Sequence, residues 1–326
     1  MADKTGIEWA GSVDEQTGQF LQGGTLNIGG GCTKVNQECL HCYAMAVTEG
    51  LKRKFEGIGN LPMAEKYSGL TQIKGSQGAQ WTNKVVKFPE RLEVPLRKTK
   101  GQAWFVSSLT DVFHDGFDDE YLDEVFGMFA VANWHKFYVL TKRAERQKEY
   151  LLSRKEPILK QAERWFERMP AQSKRFTMPQ SWPLDNVWCG VTAGSQKSLE
   201  EFLPHLLDTP AVVQWLSIEP LIERIKLLET VERLKAEGYD VSRLLWAVIG
   251  GESGPYCRKM EPDWALEAMD DCRILGITRF FKQKGEVLAR EWGLKDKKGA
   301  DLAECPMEFR VREWPTQEDI AMARAW

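Results

Sequence analysis

The sequence predicts an α/β protein built as a (βα) TIM-like barrel, complete or partly open. Short apolar runs rich in Val, Ile, Phe and Trp alternate with helix-length amphipathic stretches along most of the 326 residues, as in repeated βα units around a parallel sheet. The runs are nearly continuous in apolar residues, as strands covered on both faces must be. Polar clusters follow them, and barrels build their sites from the loops at the carboxyl ends of the strands. A doubly wound open sheet is the competing arrangement.

Eight runs qualify as strands: 25–28, 85–88, 103–108, 136–141, 187–192, 212–218, 244–249 and 278–282. Between them, 120–135 carries Leu122, Val125, Phe126 and Phe129 on one helical face. The helix over 262–276 opens on Pro262-Asp263 and stops at Gly276, the usual asymmetry of helix ends. The polar clusters are SSLTD at 107–111, TKR at 141–143, TAGS at 192–195, SIEP at 217–220, GGES at 250–253 and KQK at 282–284. The barrel domain is expected over 1–285, with a basic helical insertion at about 143–180 and a C-terminal extension over 286–326.

A hydrophobic content of 43% suffices for a full-sized core. The net charge of -3 exerts no overall pull on nucleic acid, so a polyanion would have to be met by a local patch. Residues 142–175 supply one, with eleven Lys and Arg against five Glu. They read either as a solvated helical hairpin laced with Glu–Arg pairs or as a grip on DNA phosphates. The start, MADKTGIEWA, lacks a basic stretch followed by an apolar run, and no run of about 18 apolar residues occurs. A cytoplasmic chain without membrane contact is expected. Seven cysteines, three of them within eleven positions, suit reduced thiols and a metal site better than a disulfide framework.

Those three, Cys32, Cys39 and Cys42, lie in GGGCTKVNQECLHCYAMA between the first strand and a helix. A four-iron cluster that keeps one iron open for a small ligand needs a thiolate on each of the other three, which such a loop supplies. S-adenosylmethionine would then chelate the open iron through its amino and carboxylate groups. Gly29, Gly30 and Gly31 let the backbone approach closely. A structural zinc site, with His41 or Cys257 as fourth ligand, and unligated buried thiols are the other readings. Cys189 and Cys272 suit the last role.

The order of strand, three-cysteine loop and helix, with His41 before the last cysteine, resembles the radical S-adenosylmethionine superfamily. That superfamily has three residues between its first two cysteines, whereas Cys32 and Cys39 are separated by six. KTGIEWA at 4–10, GCTKV at 31–35, CLHCYA at 39–44, FPERLEVPLR at 88–97, SSLTDVFH at 107–114, WPLDNVWCGV at 182–191, SIEPL at 217–221 and IGGESG at 249–254 are similar to a group of phage and prophage proteins, the three-cysteine-motif or phage gene-product family. The resemblance implies a [4Fe–4S] cluster on Cys32, Cys39 and Cys42, S-adenosylmethionine as cofactor, and an electron donor such as flavodoxin or ferredoxin. It also implies action in the host cytoplasm on modified thymidine, in DNA or as the nucleotide, by a radical isomerase that moves glycine from attachment through nitrogen to attachment through its α-carbon.

The remaining mouth residues receive expected roles on this basis. His41 and Tyr43 flank the last cysteine as cofactor contacts. Gly250, Gly251 and Glu252 are similar to the superfamily's Gly-Gly-Glu element, a tight turn being the plain alternative. Glu219 is a candidate for a ribose diol or an ammonium group, and Ser107, Ser108, Thr192 and Ser195 for the adenosyl ribose; capping and turn roles are the alternatives. Lys142 and Lys282 are candidate point charges for a carboxylate or phosphate, and Asp111, with His114, completes the mouth. Lys142, Lys282 and Asp111 are the candidate catalytic groups.

Overall fold

The structure, a computed structural model, describes residues 5–13, 20–21 and 23–324. Seven parallel strands form the central sheet: β1 (Gly23–Leu26), β2 (Ala103–Val106), β3 (Lys136–Thr141), β4 (Val187–Thr192), β5 (Val213–Ile218), β6 (Leu244–Gly250) and β7 (Thr278–Gln283). They stand in chain order, each paired with the next. The longer helices are α1 (Tyr43–Gly57), α2 (Asp119–Val131), α3 (Ala144–Ser153), α4 (Lys155–Arg168), α5 (Gln196–Leu207), α6 (Leu227–Ala236) and α7 (Pro262–Leu275). The sheet is a curled half-barrel flanked by helices.

One residue shows the curl. The Trp9 ring lies 4.7 Å from Phe105 on β2, 5.2 Å from Trp215 on β5 and 6.1 Å from Trp246 on β6. In a flat sheet β2 and β6 would stand about 19 Å apart, four spacings of about 4.8 Å. A single indole reaches both only if the sheet wraps round it. Strand alternation then sorts the side chains: Tyr138, Trp188, Trp215, Trp246 and Phe280 fill the concave interior, while Phe137, Val139 and Cys189 or Leu216, Ile218 and Ile249 face the helices.

The run at 85–88 departs from expectation. Val86–Lys87 pairs antiparallel with Gly29–Gly30 outside the main sheet, because Pro89 follows at once and the Phe88 amide is already given to Ile28 O at 2.8 Å. The first strand ends at Leu26 rather than at 28. There the Asn27 side chain accepts from Leu109 N and Ser108 Oγ, each at 3.2 Å, tying the ends of β1 and β2 together.

Residues 31–100 form an insertion between β1 and β2, with a core of Met45, Tyr67, Leu70, Trp81 and Phe88 against which Cys32 and Cys42 pack. Beyond β7 the chain turns back on itself. Arg312 bridges to Phe280 and donates to Phe281 O and Lys282 O at 3.2 and 2.9 Å. Trp314 packs on Phe280 at 5.1 Å, so the C-terminal segment covers an otherwise bare strand edge. Among the described residues no helix is long and apolar enough to cross a membrane.

Candidate functional site

All seven strands point their carboxyl ends the same way, and the three-cysteine loop lies over that end. Gly31 has φ +87°, and a Cβ there would stand 2.0 Å from Lys84 O, so this turn admits only glycine. Cys32 follows; Cys39 ends the short 3-10 turn Gln37–Cys39, and Cys42 is the N-cap of α1. All three are free thiols. Burial pushes the Cys32 thiol up to about 12, with Asp111, Cys42 and Cys39 adding to the rise and Arg143 opposing it. Burial also raises Cys42, against the pull of Lys142. The three sulfurs therefore sense one another and two cations from the end of β3.

Those cations are held by the strand end. Asp111 Oδ1 accepts from Thr141 Oγ1 at 2.6 Å and from Phe113 N at 2.9 Å, and Oδ2 accepts from Lys142 N at 2.9 Å. Arg143 meets the same Oδ2 at 3.1 Å and donates to Thr33 Oγ1 at 2.7 Å, beside Cys32. His114 Nε2 shares that hydroxyl at 3.0 Å. Lys142 reaches inward to Thr192 Oγ1 at 3.2 Å. Burial works against its charge, yet Cys39 and Cys42, then Asp111 and Glu38, hold the ammonium above its ordinary range. Asp111, expected among the catalytic groups, has both oxygens engaged and positions Arg143 and Lys142.

Glu38, between the first and second cysteines, is 3% exposed. Its Oε1 accepts from Ser195 Oγ at 2.9 Å and Ser198 Oγ at 2.5 Å, at the N-terminus of α5. A carboxylate suits that end of a helix, so the cysteine loop is moored to the loop after β4.

On the far side Lys282 Nζ stands 3.3 Å from Glu219 Oε1. The pair joins β7 to β5 past Gly250 on β6, where a Cβ would come within 2.6 Å of that same oxygen. Burial pushes the Glu219 carboxyl up, the Lys282 ammonium opposing it. Tyr43 feels the Glu219 charge and donates its hydroxyl to Ser108 O at 3.2 Å, linking the two groups.

Other expected contacts are committed elsewhere. Glu252 is bound on both oxygens by Arg258 at 2.7 and 3.0 Å, with Arg258 N at 2.7 Å. The Ser195 hydroxyl caps α5 and serves Glu38, and Gly251 exchanges hydrogen bonds with Gln283. The His41 ring lies 6.3 Å from that of Tyr256. Ser107 remains open: it has φ +66° and a buried hydroxyl without a partner. Asn36 Nδ2, Glu38 Oε2 and Thr110 Oγ1 share that condition. Each such atom costs about 1–3 kcal/mol until something pairs it.

Among the described residues no group of three His, Cys, Asp or Glu side chains stands close enough to hold a single metal ion. A tetrahedral zinc would draw its sulfurs to roughly 3.8 Å, given Zn–S of about 2.3 Å. A four-iron cluster gives each thiolate its own iron and asks for no such contact. In donor chemistry the three thiols fit that cluster, with Lys142 and Arg143 offsetting negative charge.

Glu38, Arg143 and Thr33 were not foreseen. An acid between two cysteines was the available signal for Glu38, and the TKR cluster at 141–143 was the signal for Arg143; nothing local marks Thr33.

Fold and site together define an α/β half-barrel protein with a three-thiol loop at the carboxyl ends of its strands. The family described as "Protein of unknown function (DUF5131)" matches residues 4–311, and the chain belongs to it. No curated protein and no solved structure matches the chain.

Proposed function

We propose that Cys32, Cys39 and Cys42 hold a [4Fe–4S] cluster and that the protein is a radical S-adenosylmethionine enzyme of the host cytoplasm. The observation that carries this reading is the gathering of three free thiols with Lys142 and Arg143 over one strand-end mouth, beside four buried polar atoms that lack partners. When bound, the cluster and its S-adenosylmethionine supply a 5′-deoxyadenosyl radical that removes hydrogen from substrate, an electron arriving from a donor such as flavodoxin or ferredoxin.

The chain's own residues bind, orient and exclude water. Lys142, fixed on Thr192, places a positive charge where three thiolates would gather. Glu219, already ion-paired with Lys282, offers an acceptor to an ammonium group or ribose diol. The open hydroxyl of Ser107 and the Asn36 amide serve a ligand's hydroxyls or carboxylate. The packed tryptophans of the concave face keep water from the interior.

For substrate we propose modified thymidine, with glycine moved from N-linkage to Cα-linkage, an isomerisation that leaves the mass unchanged. Anaerobic purification tests the cluster: about four irons and four sulfides per chain are expected, with 5′-deoxyadenosine formed on adding reductant and S-adenosylmethionine. Stoichiometric zinc without sulfide would overturn it. Nucleoside digests of treated DNA should show a new retention time at the original mass; a gain in mass rejects the isomerase.

A further inference from the structure

Four arginines of the basic segment at 142–175 are taken up by carboxylates. Arg143 meets Asp111, Arg146 meets Asp115 and Asp119, Arg154 meets Asp123, and Arg168 meets Glu124. The carboxylates of α2 and the loop before it thus hold four of the segment's eleven cations.

The insertion at 31–100 likewise pairs Lys52, Arg53, Lys66, Lys87 and Arg97 with carboxylates. It holds twelve Lys and Arg against six Glu in a chain whose net charge is -3, so the remainder is acidic. Lys34, Lys74 and Lys84 are exposed and meet no carboxylate among the described residues. Lys34 instead donates to Leu40 O at 3.1 Å and Gln80 Oε1 at 2.7 Å, and Lys84 to Ser68 O at 3.4 Å. Interleaved with them are exposed rings: Tyr43 is 47% and Tyr256 60% exposed. Tyr256 reaches across from the loop after β6, its hydroxyl on Ser76 O and its ring against His41. Exposed cations and exposed aromatic rings thus occur together on the thiol loop, the rest of the insertion and the Tyr256 loop that crosses to it, the combination that tracks a single-stranded backbone while stacking its bases.

We infer that this rim docks a single strand of nucleic acid, with phosphates on Lys34, Lys74 and Lys84 and bases on Tyr43 and Tyr256, so that the site takes a polymer rather than a free nucleotide. The inference rests on the function proposed above, because the thiol loop is where the strand is delivered.

Fluorescence anisotropy of the full chain with a labelled oligo(dT) of about 20 nucleotides tests it across about 50 to 200 mM salt. The pair Lys74→Ala and Lys84→Ala should weaken binding about tenfold at the low end and reduce the salt slope by about 1.4, roughly 0.7 for each lost phosphate contact. Tyr256→Ala should also weaken binding about tenfold while leaving that slope unchanged. Lys155→Ala with Lys160→Ala, on α4, should change affinity less than about twofold. Loss of binding in the α4 pair with none in the rim overturns the inference. So does a wild-type chain that ignores the oligonucleotide and binds an acidic flavodoxin through the rim. Iron content of the same samples separates the two proposals: a chain without iron that still binds the strand keeps the rim and loses the cluster.

Discussion

Ser195 Oγ donates to Glu38 Oε1 at 2.9 Å, joining residues 157 apart in sequence. The bond ties the second cysteine's turn to the capping box of α5, so the placement of Cys39 depends on a strand loop three strands away.

Replacing Glu38 by Ala should therefore do two things. Ser195 and Ser198 lose their carboxylate acceptor, Ser198 Oγ keeping Ser195 O at 3.0 Å, at about 1–3 kcal/mol, and the loop loses its mooring. A lower denaturant midpoint together with reduced iron retention is expected. Glu38→Gln, which keeps an acceptor oxygen, should recover most of the stability. Unchanged midpoint and iron in Glu38→Ala would show that the loop holds its shape without the bond.

Arg143 bridges Asp111 and Thr33 through separate guanidinium nitrogens, which one ammonium does not reproduce. Arg143→Lys should free the backbone around Thr33, raising amide hydrogen exchange there about tenfold while exchange in β3 stays slow. Equal protection in both proteins would remove the bridge from the account of the loop.

Gly190 on β4 faces Trp215, and a Cβ would lie 2.4 Å from its indole. The interior layer therefore alternates a missing side chain with the largest one. Gly190→Ala should cost about 1–3 kcal/mol through overpacking, read as a lowered melting temperature. The compensating Gly190→Ala, Trp215→Phe pair should return part of it.

His135 is buried, accepting from Gln102 N through Nδ1 at 3.0 Å, which leaves Nε2 to donate to Pro95 O at 2.9 Å. Burial lowers it to about 4 from 6.5. The unfolded chain thus binds the extra proton first as pH falls, so the stability held by neutral His135 is present above pH 6.5 and lost between there and about 4. The loss is on the order of 3 kcal/mol. Denaturant midpoints across that window should fall in the wild type and fall less in His135→Gln. Parallel slopes would mean that carboxylates, not His135, govern the decline.

Much of the fold was legible in the sequence. All seven sheet strands overlap expected apolar runs, the first only at Thr25 and Leu26, and α7 stops at Gly276, which has φ +71°. The run at 85–88 misled because Val85, Val86 and Phe88 read as a strand although Pro89 cuts it short. The thiol trio was visible from spacing, and Lys142, Thr192 and Asp111 from their place after strands. Glu252 and Ser195 looked equally available, but their partners Arg258 and Glu38 take them up.

The amino-acid order by itself determined which segments are strands and helices, the direction of the polar mouth and the three thiols, because alternation, capping and spacing act over a few neighbouring residues. Only the tertiary structure decided how far the sheet curls round Trp9, which carboxylates pair with Arg143, Arg146, Arg154 and Arg168 and which hydroxyls moor Glu38. Those outcomes depend on pairings between distant residues, whose energies arise only after packing has removed water from between them.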